Sequence, residues 1–194
     1  MEKKSLWSFG TREVVYAAIG AALYAVLSIA TNALQIPSSG NVSFRPAVSL
    51  VYFFGLAFGP IVGFITGALG NVIGDLLSGA GFWPWWDLGN GIQGLIAGLF
   101  HPYMTNYRAV RDLVIAEVAV VIAAAVGMFV ASVSEMWVSG IDWAAVIAFN
   151  FIPSFVPNTL NGLVLVPLLL IAYSAVAARS GRGQTGASGW ETPR

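Results

Sequence analysis

The stretch "PAVSLVYFFGLAFGPIVGFITGALGNVIG", residues 46–74, runs for 29 residues without a charged side chain. A helix needs about 20 apolar residues to cross roughly 30 Å of hydrocarbon, so this run is long for one crossing and short for two. Gly59-Pro60 falls near its middle, and proline cannot continue the hydrogen-bond ladder of the preceding turn. The basic residues decide between the two readings. With a break at Gly59-Pro60 the chain has six spans. Lys3, Lys4, Arg12, Arg108, Arg111, Arg179, Arg182 and Arg194 then share one side, and Arg45 stands alone on the other. Without the break there are five spans and the nine basic residues divide three against six. The positive-inside rule selects six, with both termini cytoplasmic.

The expected fold class is therefore an all-α integral membrane protein of six transmembrane helices, near residues 12–34, 44–58, 60–78, 88–104, 112–136 and 143–178. Composition agrees: 57% of the 194 residues are apolar, and nine Lys+Arg stand against nine Asp+Glu. Such a chain cannot cover a water-soluble surface. Further uncharged runs cover residues 14–34, 118–134 and 143–178, and no strand-like alternation suggests a barrel. The last run contains Pro153, Pro157 and Pro167. Splitting it in two would export Arg179 and Arg182, so it reads as one kinked span preceded by a helical segment at the outer leaflet. The basic N-terminus leads into an apolar segment too long for a signal peptide, and it reads as a retained first span. Residues 1–180 form the membrane domain, and the Gly/Ser-rich residues 181–194 read as a flexible cytoplasmic tail.

Several function classes find no support. The basic residues are scattered rather than gathered into a patch, which argues against a nucleic-acid partner. There is no cysteine, and the single histidine, His101, lies in a cytoplasmic loop, so no metal site, bound cofactor or catalytic constellation is expected.

The topology sends the remaining polar residues to the outer helix ends: Asp75, Asp87, Glu135 and Asp142, with Arg45, Asn41, Asn90, Gln93, Asn150, Asn158 and Asn161. Charges at the bilayer centre cost about 2.5–3.5 kcal/mol on insertion scales, so such residues sit at an interface or face a polar cavity. Asn71 and Asp75 are four apart and share a helix face. Asp75 either pairs with Arg45 across the outer surface or points with Asn71 into a cavity, and such a pair could also close a gate. Trp83, Trp85 and Trp86 in "GAGFWPWWDLGNGIQG", residues 79–94, form either an interfacial aromatic belt or the wall of a binding site for a flat, partly cationic heteroaromatic ligand. Small residues recur at four-residue spacing in Ala17, Ala21 and Ala25, and at close spacing in Gly63, Gly67, Gly70 and Gly74. The glycines read as internal packing, and the alanine stripe could face another subunit.

Three segments carry a family resemblance: "REVVYAAIGAALYAVLS" at residues 12–28, "VSFRPAVSLVYFFGLAFGPIVGFITGALGNVIGDLLSG" at residues 42–79, and "FVPNTLNGLVL" at residues 155–165. The chain resembles the S components of energy-coupling factor (ECF) transporters. The family's last span often reads P-x-N-L-x-K-G; here Pro157-Asn158-Thr159-Leu160-Asn161-Gly162 lacks the lysine. The resemblance implies a multi-pass protein of a prokaryotic plasma membrane, the substrate-capture subunit of an ABC-type vitamin importer. It implies capture near the outer leaflet under the loops after spans one and three, and toppling of the subunit during transport. It also implies docking through Ala17, Ala21 and Ala25 onto a membrane coupling subunit served by two ATPases. Arg45, Asn71, Asp75, Trp83, Trp85, Trp86, Asp87, Asn90, Glu135, Asn158 and Asn161 are the expected substrate contacts. The acidic outer loops place thiamine or its pyrimidine precursor ahead of riboflavin or a corrinoid. The rival reading is a self-sufficient small secondary transporter or channel.

Overall fold

The computed structural model describes residues 6–31 and 45–179, which contain helices and turns and no strand. Asn41, the lysines at 3 and 4, and the tail at 181–194 lie outside the described residues. Six helices follow in chain order: α1 (Thr11–Thr31), α2 (Val48–Phe58), α3 (Pro60–Ser78), α4 (Pro84–Leu99), α5 (Val110–Val138) and α6 (Trp143–Arg179). Helices α1, α3, α5 and α6 are long and apolar enough to cross a membrane. Helix α2 has 11 residues, and at 1.5 Å per residue it reaches only about 16 Å. It is buried from Val48 to Ala57 except at Leu50, so it fills the interior of the bundle.

Gly59 supplies the break expected before Pro60. Its φ of 103° is open to glycine and strained for other residues, so α2 ends there and α3 begins at once with proline in its first turn. Helix α4 starts at Pro84, a turn earlier than residue 88, and ends at Leu99 rather than 104. Pro102 accounts for the early stop, because the residue before a proline is pushed out of the helical region; a short 3-10 turn, His101–Tyr103, follows. The final run is one continuous helical segment, α6, with a π turn at Val146–Phe151 and Pro157 and Pro167 inside it. Asp142 caps its start, accepting from Ala145 N at 2.8 Å.

Helix α3 lies between α1 and α4, α4 packs on α5, and α6 covers α5 and α2. The α3–α4 crossing is backbone against backbone. A Cβ on Gly94 would sit 2.0 Å from Gly63 O, and one on Gly67 would sit 2.2 Å from Asn90 O. No side chain fits at either place. The same logic corrects the reading of the alanine stripe. Ala17, Ala21 and Ala25 are each 2% exposed; Ala21 meets Gly70 of α3 and Ala25 meets Gly74. Gly70 and Gly74 thus pack against the alanine stripe while Gly63 and Gly67 face α4, and the four-spaced small residues on the open face of α1 are Ala18 and Ala22.

The two ends of the bundle carry different residues. One end holds the Gly59-Pro60 turn, the loop after α4, and Arg12, Arg108, Arg111 and Arg179; we call it the basic end. Its rings interlock, with Tyr16 stacked on Phe58 at 4.2 Å between centroids and Tyr173 edge-on to Phe58 at 5.5 Å. Buried Asp112 shapes the loop by accepting from the backbone N–H groups of Thr105 and Asn106, and Arg108 Nε donates to Ser174 Oγ at 2.9 Å. The other end, reached by Trp83 and Trp85, holds Arg45.

Candidate functional site

The tryptophan end gathers polar side chains from α1, α2, α3, α4 and α6 into one buried network. Asn71 is its hub. As anticipated from their four-residue spacing, Asn71 and Asp75 share a face of α3, and Asn71 Nδ2 donates to Asp75 Oδ2 and to Asp87 Oδ1 of α4, both at 2.8 Å. Arg45, just before α2, donates from Nη1 to Asn71 Oδ1 at 2.8 Å and from Nη2 to Asp75 Oδ1 at 3.4 Å. The Tyr24 hydroxyl of α1 lies 3.2 Å from Asn71 Oδ1 and 3.1 Å from Asn90 Oδ1. Gln93 Nε2 donates to Asn90 Oδ1 at 3.2 Å, and Gln93 Oε1 accepts from Tyr52 of α2 and from Asn158 Nδ2 of α6.

Charge is unevenly compensated within this network. Asp75 has Arg45 as its partner, whereas Asp87 is 4% exposed and held only through one oxygen by an amide. Among the described residues its Oδ2 is buried without a hydrogen bond, as are Asn161 Nδ2 and Ser132 Oγ. An unmatched buried acceptor or donor costs about 1–3 kcal/mol, and more when charged, so such atoms need a structural or functional explanation. Among the described residues no cluster of metal-binding side chains exists.

The three tryptophans divide. Because α4 begins at Pro84, Trp86, Asn90 and Gln93 fall at i, i+4 and i+7 and face inward together. Trp86 Nε1 donates to Glu135 Oε1 of α5 at 2.7 Å, Ser139 donates to the other Glu135 oxygen, and Asn90 Nδ2 donates to Trp86 O. Trp83 and Trp85 are 46% and 40% exposed. Trp83 bonds Ala80 O and Trp85 lies edge-on to Trp137, so both belong to an outward aromatic rim. Of the expected contacts, Arg45, Asn71, Asp75, Asp87, Asn90 and Asn158 join the network directly, and Trp86 with Glu135 adjoins it. Asn161 is buried one turn beyond Asn158, and Trp83 and Trp85 stand apart.

Sequence reasoning placed Gln93 among the outer polar residues without assigning it a contact, and it passed over Tyr24 and Tyr52. A tyrosine in an apolar run gives no sign of whether its hydroxyl is matched. The early start of α4 was signalled by Pro84 at a first helical position with Asp87 in the first turn.

Residues 8–175 match the family described as ECF-type riboflavin transporter, S component. A UPF0397 protein of Streptococcus sanguinis is 32% identical over 173 residues, which cover 88% of this chain and 94% of that protein. A UPF0397 protein of Streptococcus gordonii is 33% identical over 178 residues. A UPF0397 protein of Vibrio atlanticus is 42% identical over 101 residues, about half of each chain (52% and 54%). Among solved structures, the S component of a bacterial ECF transporter superimposes with a TM-score of 0.54 at 16% identity, covering 88% of this chain and 98% of that one. FolT bound with folic acid gives 0.51 at 18% identity, covering 96% and 98%. At these identities the two structures establish the shared fold.

Proposed function

Because the chain belongs to the family of ECF-type riboflavin transporter S components, we propose that its tryptophan end captures a small, flat, nitrogen-bearing vitamin or vitamin precursor. The membership makes it a substrate-specific, vitamin-binding subunit of an ECF transporter; the identity of the cargo is our reading. The observation that carries it is Asp87 Oδ2, a buried acceptor without a partner among the described residues, in a network that already holds one carboxylate more than its single guanidinium can pair. A ligand N–H or cationic nitrogen would complete it. The acidic surroundings favour a thiamine-type aminopyrimidine, the family description favours riboflavin equally, and a corrinoid stands behind both.

We read the orientation from charge: the positive-inside rule favours the end with Arg12, Arg108, Arg111 and Arg179, and with it both termini, facing the cytosol of a prokaryote, the chain traversing the bundle six times although α2 by itself reaches only about 16 Å. The basic half of the bundle supports hand-over to a partner rather than a channel through this chain. There α2, α3, α5 and α6 close on Leu56, Val62, Val120, Val166 and Leu170, each at most 1% exposed. The cargo would pass to a membrane coupling subunit driven by two ATPases. The open face of α1 with Ala18 and Ala22 is the docking surface we favour, since Ala17, Ala21 and Ala25 are already buried.

The test is mass spectrometry of small molecules that copurify with the chain, followed by titration of the compound found. Trp86 should report binding by a change in tryptophan emission. Asp87→Asn should keep the fold and weaken binding by about 2–3 kcal/mol, the scale of a charge-assisted hydrogen bond. A chain that carries no ligand and gives unchanged emission with thiamine, its pyrimidine precursor, riboflavin and a corrinoid would refute this reading.

A further inference from the structure

Two carboxylates share one amide at the tryptophan end. Asn71 Nδ2 gives one hydrogen to Asp75 Oδ2 and the other to Asp87 Oδ1, each at 2.8 Å, so these two acidic oxygens lie no more than twice that distance apart. A single guanidinium serves the pair, and it is committed: Arg45 turns Nη2 to Asp75 Oδ1 and Nη1 to Asn71 Oδ1. Asp87 is left buried, with Oδ2 unpartnered among the described residues. Asp112, buried at the basic end, makes the contrast, because it accepts two backbone N–H groups and has Arg111 at 3.4 Å. The other groups around Asp87 bring no cation. Helices α1 and α2 supply the hydroxyls of Tyr24 and Tyr52, the buried polar residues of α6 carry no charge, and Glu135 of α5 is engaged by Trp86 and Ser139.

We propose that Asp87 holds a proton on Oδ2 in the ligand-free chain, and that a cargo with a positively charged nitrogen displaces it. The O–H bond breaks, the proton leaves to the solution at the tryptophan end, and the carboxylate that remains pairs with the cation. A carboxylate that is buried, unpaired and close to a second anion avoids the cost of its charge by taking up a proton. Two such groups share their protons as a pair, and Arg45, by facing Asp75, assigns this one to Asp87. The exchange rests on the reading of the tryptophan end as a capture site, and it narrows the cargo to one that brings a positive charge. A neutral N–H donor brings none, so it leaves the proton in place and meets Oδ2 as donor against donor. Capture is thereby linked to the release of a proton.

The test is infrared spectroscopy of the purified full-length chain, freed of copurified ligand by dialysis. We expect the C=O stretch of a protonated carboxyl at neutral pH, shifted when aspartate carries a 13C side-chain label. Asp87→Asn should abolish this band. Asp87→Glu, which keeps an acid, should retain a band that no longer responds to the aspartate label. Thiamine, whose thiazolium is a fixed cation, should remove the band from the wild-type chain, and its affinity should rise by up to about tenfold per pH unit. Riboflavin, which is neutral, should do neither. The absence of the band, or its survival in Asp87→Asn, would overturn the proton on Asp87 while leaving the capture site standing. So would a band that persists with thiamine bound, or a chain that binds riboflavin and refuses thiamine. A chain that binds no probe and carries no copurified compound would overturn the capture site and the exchange together.

Discussion

At the basic end Tyr16, Phe58 and Tyr173 pack ring against ring above a core of Leu56, Val166 and Leu170. The corresponding interior at the tryptophan end holds Asn71, Asp87, Asn90, Gln93 and Asn158, tied by hydrogen bonds, with Tyr24 and Tyr52, across five helices. Apolar packing is non-directional, so the basic end tolerates local rearrangement so long as its volume stays filled. A buried polar network is directional, and each member needs its partners in place. The first end closes the bundle. The second fixes the positions of Asp87 Oδ2 and Asn161 Nδ2, which the fold leaves unmatched. Rigidity at the tryptophan end thus holds a few buried, unmatched polar atoms in place, whereas at the basic end it serves closure alone.

The comparison presumes a common frame, and the largest expected effect comes from breaking it. Gly94→Leu would drive a side chain into Gly63 O, where even a Cβ would approach to 2.0 Å. We expect loss of more than about 3 kcal/mol and no monodisperse folded chain on size-exclusion chromatography; a normal melt would show that α3 and α4 can separate freely. Tyr52→Phe tests the directional end by itself. It preserves shape but leaves Gln93 Oε1 with only the long bond from Asn158, at a cost of about 1–2 kcal/mol. An unaltered unfolding midpoint would mean that the network does not hold the helices. The smallest effect belongs at the basic end. His101, outside the spans, donates from Nδ1 to Leu56 O at 2.8 Å, and burial lowers its pKa below the usual 6.5. The unfolded chain therefore takes up this proton first as pH falls. Stability should be full above the ordinary histidine range and decline gently through and below it. Melts from pH 8 to 5.5 should show that slope, and His101→Gln should remove it, because the chain has no other histidine.

The helices were legible because their signals are local: an uncharged run, the Gly59-Pro60 break, and basic residues gathered at one end. Which face of a helix is used was harder. Ala17, Ala21 and Ala25 have a spacing equally suited to packing inside the chain or against a partner. Only the matching glycines of α3, brought alongside in three dimensions, assign them to the interior. For the tryptophans, a shift of one turn in the start of α4 decided which indole points inward. Trp86 faces Glu135 and its two neighbours face out because Pro84, rather than Leu88, opens the helix. The acid and amide residues were recognisable as a set, since polar side chains are rare in such a chain. Their pairing was not, because Asn71 meets Asp87 sixteen residues away and Tyr24 meets Asn90 across sixty-six.

The glycine crossing of α3 and α4 also limits how such a protein can change its cargo. Where two main chains touch, there is no side chain to exchange for a larger or smaller one, so the α3–α4 crossing beside the polar network has fixed dimensions. The α4–α5 contact repeats this at Gly89 and Gly127, where a Cβ on Gly127 would sit 2.5 Å from Gly89 O, so divergence toward a new nutrient falls to the side chains that border the polar network rather than to the helix crossings. On the capture site we propose, substitutions at Ser132, Glu135, Asn158 and Asn161 would retune selectivity, while the glycines would have to stay in place.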